Sequence, residues 1–166
     1  MKWVVEFDIV GLFDNINHEH LMKFVKYHSK EKWVNLYIER CLKAPIIMPN
    51  GTVCERTKGT PQGGVISPLL LGLYMHYAFD RWITREFPMC KWERYADDGL
   101  IHCVSKNQAE YVLDMLKKRM QLCGLEVHPE KSRIVFCQAI NERQDNVQTS
   151  FTFLGYYFQP RLVKSK

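Results

Sequence analysis

The sequence predicts an α+β fold, an antiparallel sheet with helices packed on one face. Three observations lead there. Residues 2–10, "KWVVEFDIV", and the paired runs 92–96 and 100–104 have the β-branched, apolar character of strands. Between them lie longer segments with apolar residues at helical spacing. One of these, from 69 to about 87, is apolar nearly all round and therefore has to be buried.

The elements follow in order. The strand at 2–10 ends in the turn "GLFDNINHEH", where Asn17 can cap a helix carrying Leu21, Phe24, Val25 and His28 on one face. A second helix, about 31–44, places Val34, Tyr37, Ile38 and Cys41 on a stripe and stops before Pro45. Asn50-Gly51 marks a hairpin. Ser67-Pro68 reads as an N-cap followed by a proline suited to the first helical position, opening the apolar helix. After the 92–104 hairpin, Asn107 and Glu110 have capping-box spacing. Val112, Leu113, Leu116 and Met120 form that helix's buried stripe, and Gly124 ends it. Short strands follow around 125–127, 132–138 and 150–158. With no repeat, low-complexity tract or linker, 1–166 reads as one domain.

Composition narrows the function classes. The 166 residues are 46% apolar, enough for a proper core. A net charge of +5 tolerates a polyanionic partner without requiring one. Six cysteines without a C-x-x-C pair form neither a zinc pattern nor a disulfide framework, which points to a reducing cytoplasm. His102-Cys103 and the His18/His20 pair lack a matching second half for a metal site. No apolar run reaches membrane-spanning length, and no signal-peptide pattern opens the chain.

The chemistry lies in the carboxylates. "WERYADDGLIHC" places Asp97 and Asp98 at a hairpin tip, where Asp-Gly is also an ordinary turn signal. Asp8 stands near the end of an apolar strand, a costly place for an unpaired charge. If Asp8 meets the pair, the like charges repel unless a cation sits between them. Mg²⁺ takes hard oxygen ligands, typically one or two carboxylates plus substrate phosphates, and paired ions clamp an in-line phosphoryl displacement. Acids at two strand ends also occur by chance.

The surrounding residues carry a resemblance. In order, "FDIVGLFDNINHEHL", "GTPQGGVISPLLLGLYMH", "RYADDGLIHC", "GLEVHPEKSRIVF" and "FTFLGYYF" resemble the reverse transcriptase palm. "PQGGVISPLL" and "HPEK" are most similar to the reverse transcriptases (maturases) encoded by bacterial group II introns. The resemblance covers 7–158. It implies that Asp8 and Asp97 hold two Mg²⁺ ions, for which Mn²⁺ can substitute, with Asp98 supporting less directly and the Ile9 carbonyl completing one coordination sphere. It implies Phe13 as the steric gate against a ribose 2′-hydroxyl, and Gln62 with Gly63 and Gly64 at the incoming dNTP. Lys131 matches the lysine that protonates the departing pyrophosphate, work that calls for a lowered pKa. Phe153, Leu154 and Gly155 match the primer grip, and Tyr95 would pack under the Asp pair.

The implied partners are an RNA template, a DNA or RNA primer, dNTP and group II intron RNA, with no membrane. Leu71-Gly72 stands where the family usually has Ala-Asn, a departure remote from the metal site. Finger motifs ahead of Asp8 and a thumb after Phe158 are missing, so 1–166 is expected to be a palm with part of the fingers. Surface normally covered by fingers or thumb would then favour self-association. Two alternatives stay open: an RNA-binding maturase that assists splicing without DNA synthesis, and a related CRISPR-associated or retron reverse transcriptase.

Overall fold

The computed structural model describes residues 1–137 and 148–161. In chain order the first half contains β1 (Trp3–Phe7), α1 (Leu12–Asn15), α2 (His18–His28), α3 (Lys32–Lys43), β2 (Ile46–Ile47) and β3 (Val53–Cys54). Then come α4 (Ser67–Met75), a π-helical segment (His76–Asp80), α5 (Arg81–Glu86), β4 (Lys91–Tyr95) and β5 (Asp98–Cys103). α6 (Lys106–Leu122), β6 (Arg133–Phe136), β7 (Phe151–Phe153) and β8 (Tyr156–Phe158) complete it.

β1 is central in a four-stranded antiparallel sheet of order β4-β5-β1-β6. Alternation along β1 sorts the sheet's two faces. Trp3, Val5 and Phe7 join the main core with residues of α4, the π segment and α6. Val4, on the other face, is buried with Leu100, Val135 and Phe151, so the β7–β8 hairpin covers part of the face that the helices leave open. The predicted α+β arrangement is the observed one.

Phe7 is the hinge of the main core. Its ring lies 4.9 Å from Phe79, which meets Trp92 edge-on at 5.4 Å. Across the ladder Phe7 pairs with Gly99, and a Cβ at that glycine would run into the Phe7 ring. Gly99 is therefore a packing glycine. The hairpin turn lies one step earlier, at Ala96-Asp97, because Tyr95 and Asp98 are the last paired residues.

Several boundaries differ from the sequence expectations. β1 leaves the ladder at Asp8, and Ile9 meets Val127 only as an isolated bridge, all that forms of the strand expected at 125–127. Residue 138, the end of the strand expected at 132–138, lies outside the described residues. The expected 69–87 helix is interrupted by the π segment, where Arg119 of α6 donates to the Tyr77 and Ala78 carbonyls (3.0 and 2.9 Å). An inserted donor of this kind lets a helix widen locally. Ser67 is the first helical residue rather than the cap, and its hydroxyl donates to the Pro61 carbonyl at 2.6 Å.

α6 is capped by Ser105, whose Oγ accepts from Gln108 N while Gln108 Oε1 accepts from Val104 N. Asn107 and Glu110 are thus not its cap. Gly124 does end it, in a left-handed conformation (φ 71°) with Leu125 N donating to Met120 O. On α3 the buried pair is Ile38 and Leu42, four residues apart, whereas Tyr37 faces solvent. On α2 Asn17 caps as expected, and His28 is exposed against the Tyr77 hydroxyl. The β2–β3 hairpin turns at Asn50-Gly51 as expected.

Candidate active site

Asp8 is the first residue beyond β1, on the face shared by Val4 and Glu6. The Phe7↔Gly99 pairing sets it beside Asp98, one step further along both strands. Its main chain is fixed on both sides: the amide donates to Ser132 Oγ (3.2 Å) and the carbonyl accepts from His128 N (2.8 Å). The Ile9–Val127 bridge uses the Val10 amide and the Asp8 and Glu126 carbonyls, making no demand on the Ile9 carbonyl.

Asp8 and Asp98 line one cleft of about 280 Å³ with Glu6, Glu130, Lys131, Arg133, Thr152 and Phe153. Four carboxylates thus face two cations. Asp8 Oδ2 accepts from Lys131 Nζ at 2.8 Å, with the Asp8 side chain 14% exposed and the lysine 62%. Glu6 accepts from Arg133 Nε at 2.6 Å and from Thr152 N at 3.3 Å. Asp97 does not line this cleft; it lies half-buried in the two-residue turn, next to Ala96 at φ 52°. Its charge still acts on both Asp98 and Lys131.

The electrostatics follow from that crowding. Asp98 is pushed above its ordinary 3.8, first by burial and then by the negative charges of Asp97 and Asp8, with Lys131 opposing. Lys131 is pushed above 10.5 by its hydrogen bond to Asp8 and then by the charge of Asp8, with Asp98 and Asp97 adding to it. A lysine acting as general acid needs the opposite shift, so here Lys131 is held as a cation. Among the described residues, no three His, Cys, Asp or Glu side chains converge closely enough to ligate an ion alone. Asp8 turns toward Lys131 instead of toward the pair.

The raised Asp98 gives a pH-dependent outcome. The folded state disfavours its charged form, so its contribution to stability is present below pH 3.8 and lost as pH rises through the folded value. Asp98→Asn should raise Tm at pH 7, by only about 1–2 °C because solvent screens this exposed group. The gain should vanish below pH 3.8, where Asp98 is protonated in both states. Thermal melts at pH 3 and pH 7 check it.

The other expected site residues are distributed around this centre. Phe153 reaches the cleft, while Leu154 (φ 52°) and Gly155 (φ 78°) make the β7–β8 turn, whose two positive φ values suit a tight hairpin. Gln62 donates to both oxygens of Asp14 (3.1 and 3.3 Å) in a second cleft of about 590 Å³ that also includes Arg56 and Lys58. Gly63 turns with φ 78°, and Gly64 packs a close turn against Pro61 and Ser67. Phe13 packs half-buried against the core and lines neither cleft, although its carbonyl accepts from Thr60 N. Tyr95 is 66% exposed and does not pack under the carboxylates. His18 bonds the Gly59 carbonyl and His102 bonds Glu93. Sequence reasoning passed over Glu6, Ser132 and Asp14; Glu6 shares the two-residue period of Asp8, a signal that would have found it.

Comparison with known proteins decides the family. The model of the family "Reverse transcriptase (RNA-dependent DNA polymerase)" matches residues 1–158. The chain belongs to the reverse transcriptase family. The Lactococcus lactis group II intron-encoded protein LtrA is 40% identical over 75 residues, 45% of this chain and 12% of LtrA. The Escherichia coli protein YkfC is 30% identical over 197 aligned residues, covering 99% of this chain and 48% of YkfC. This reverse transcriptase chain therefore spans only part of the relatives' length. Its fold resembles an apo telomerase from Candida tropicalis, with a TM-score of 0.70 at 17% identity over 95% of this chain and 34% of that one. A Candida albicans telomerase, solved with a fragment of telomeric RNA, gives 0.67 at 16% identity over 93% and 29%.

Proposed function

We propose that this reverse transcriptase chain is the palm, with part of the fingers, of a group II intron-type RNA-directed DNA polymerase. One observation carries the reading: Asp8 at the end of β1 and Asp98 at the start of β5 line one cleft with the Lys131 ammonium, beside the hairpin that matches the primer grip. The donor set fits a hard divalent cation, with carboxylate oxygens in mutual repulsion and too few cations to balance them. Asp8 and Asp97 would hold two Mg²⁺ ions, with Mn²⁺ as a substitute, while Asp98 supports them and the Ile9 carbonyl completes a coordination sphere. When bound, the ions would lower the pKa of the primer 3′-hydroxyl and neutralise charge on the transferring phosphoryl group.

The chain's own residues position the rest. Phe153, Leu154 and Gly155 would hold the primer end, so that its 3′-oxygen faces the α-phosphorus of a dNTP. The new P–O bond would form there as the bond to pyrophosphate breaks. Lys131, charged and largely exposed beside Asp8, would meet the departing pyrophosphate as a cation. Gln62, which lines the Asp14 cleft, would meet the incoming nucleotide with Gly63, and Phe13, packed against the core outside that cleft, would have to turn toward it to act as the steric gate. The partners would be an RNA template, a DNA or RNA primer, dNTP and group II intron RNA. A cytoplasmic setting suits the six free cysteines, and exposed Trp33, Tyr37, Ile47 and Val53 offer apolar surface for self-association.

The test is primer extension by the full-length protein on an RNA template with an annealed DNA primer. Mg²⁺-dependent incorporation of dNTP, removed by EDTA and restored by Mn²⁺, is expected. No incorporation under any divalent ion would overturn the polymerase reading. The similarity to LtrA favours a second, RNA-binding reading, in which intron splicing survives loss of the carboxylates. A splicing assay on the carboxylate variants separates the two.

A further inference from the structure

The Ala96-Asp97 turn is held from below by a clamp outside the carboxylate cleft. Arg94, on the helix-facing side of β4, forks onto Asp80 at the end of the π segment. Its Nε donates to Oδ1 at 2.7 Å and its Nη2 to Oδ2 at 2.8 Å. The third nitrogen, Nη1, donates to the Ala96 carbonyl at 3.0 Å. That oxygen belongs to the peptide bond linking Ala96 to Asp97. Both clamp side chains are largely buried, 11% exposed for Arg94 and 16% for Asp80.

The turn has reason to need holding. Ala96 takes a left-handed φ of 52°, a conformation that an L-residue with a Cβ adopts only against steric resistance, so surrounding structure has to over-determine it. The planar guanidinium is the one side chain that makes a two-pronged ion pair and still reaches a third acceptor in the same plane. Asp80 is available to it at the point where the π segment passes into α5. We propose that Arg94, seated by Asp80, is a positioning residue that fixes the Ala96-Asp97 peptide and so sets where the Asp97 carboxylate points. The consequence for metal binding rests on the polymerase reading; the clamp on the turn does not.

Arg94→Lys keeps the charge but loses the fork and its third bond. Asp80→Asn keeps the shape and weakens the fork. In the full-length protein, amide exchange at residues 96–98 should quicken at least tenfold in Arg94→Lys, with Tm moving by no more than a few degrees. Mn²⁺ affinity, followed by electron paramagnetic resonance without substrate, should weaken about tenfold, the scale typical of residues that orient ligands. Asp80→Asn should move both readouts in the same direction by less. Unchanged exchange at 96–98 in Arg94→Lys would overturn the clamp. Faster exchange with unaltered Mn²⁺ affinity would overturn its role in aiming Asp97. A wild-type protein that takes no Mn²⁺ defeats the polymerase reading instead, and the clamp is still judged by exchange alone.

Discussion

Asp97→Asn should abolish primer extension by the full-length protein, lowering the rate by at least about a thousandfold, while the fold persists. The two halves of that result have separate causes. Asn is nearly isosteric with Asp, and position 97 is a half-buried turn residue outside both apolar clusters, so packing is untouched. The loss is of negative charge at a centre that works by charge. Asp98→Asn removes one too, from a residue proposed to support the ions less directly, and should leave measurable synthesis. Far-UV circular dichroism and melting temperature beside single-nucleotide incorporation check the pair. Retained synthesis in Asp97→Asn would remove the proposed mechanism.

The largest effect on stability is expected at Phe7, which is 1% exposed and wedged between Gly99 and Phe79. Phe7→Ala should cost about 3–5 kcal/mol, because it leaves a cavity at the middle of the sheet. Gly99→Ala attacks the same contact from the opposite side, and the displaced ring should cost about 1–3 kcal/mol. The two sites are in contact, so their effects should not add. In a Phe7→Leu background the Gly99→Ala penalty should shrink, since the ring it collides with is gone. Urea unfolding of the four proteins in this cycle measures the coupling; additive penalties would contradict the contact.

Much of this was legible in the sequence because it is written locally. The strand around Val4 and Val5, the Asn17 cap, the Asn50-Gly51 turn and the Gly124 stop each depend on a few neighbouring residues. Where two local readings competed, the sequence alone could not choose. Ser105–Gln108 and Asn107–Glu110 have the same spacing, and the cap went to Ser105, whose Gln108 also satisfies the Val104 amide. Asp98-Gly99 looks like a turn, but Gly99 is required by the ring of Phe7, which stands far back along the chain, in β1. The π segment has two of its carbonyls bonded by Arg119, which stands 41 and 42 residues further along the chain. At the site, the motifs named Asp8 and Lys131 separately; only the fold reveals that the lysine, 123 residues on, is the partner of the acid and is held charged by it.

The small cluster of Val4, Leu100, Val135 and Phe151 lies across the sheet from the main core. The β7–β8 hairpin therefore packs on the acids' side of the sheet through Phe151 alone of its own buried residues, with Tyr156 and Tyr157 exposed on β8. Its release would strip one wall from the cleft while leaving Asp8 and Asp98 seated on the sheet.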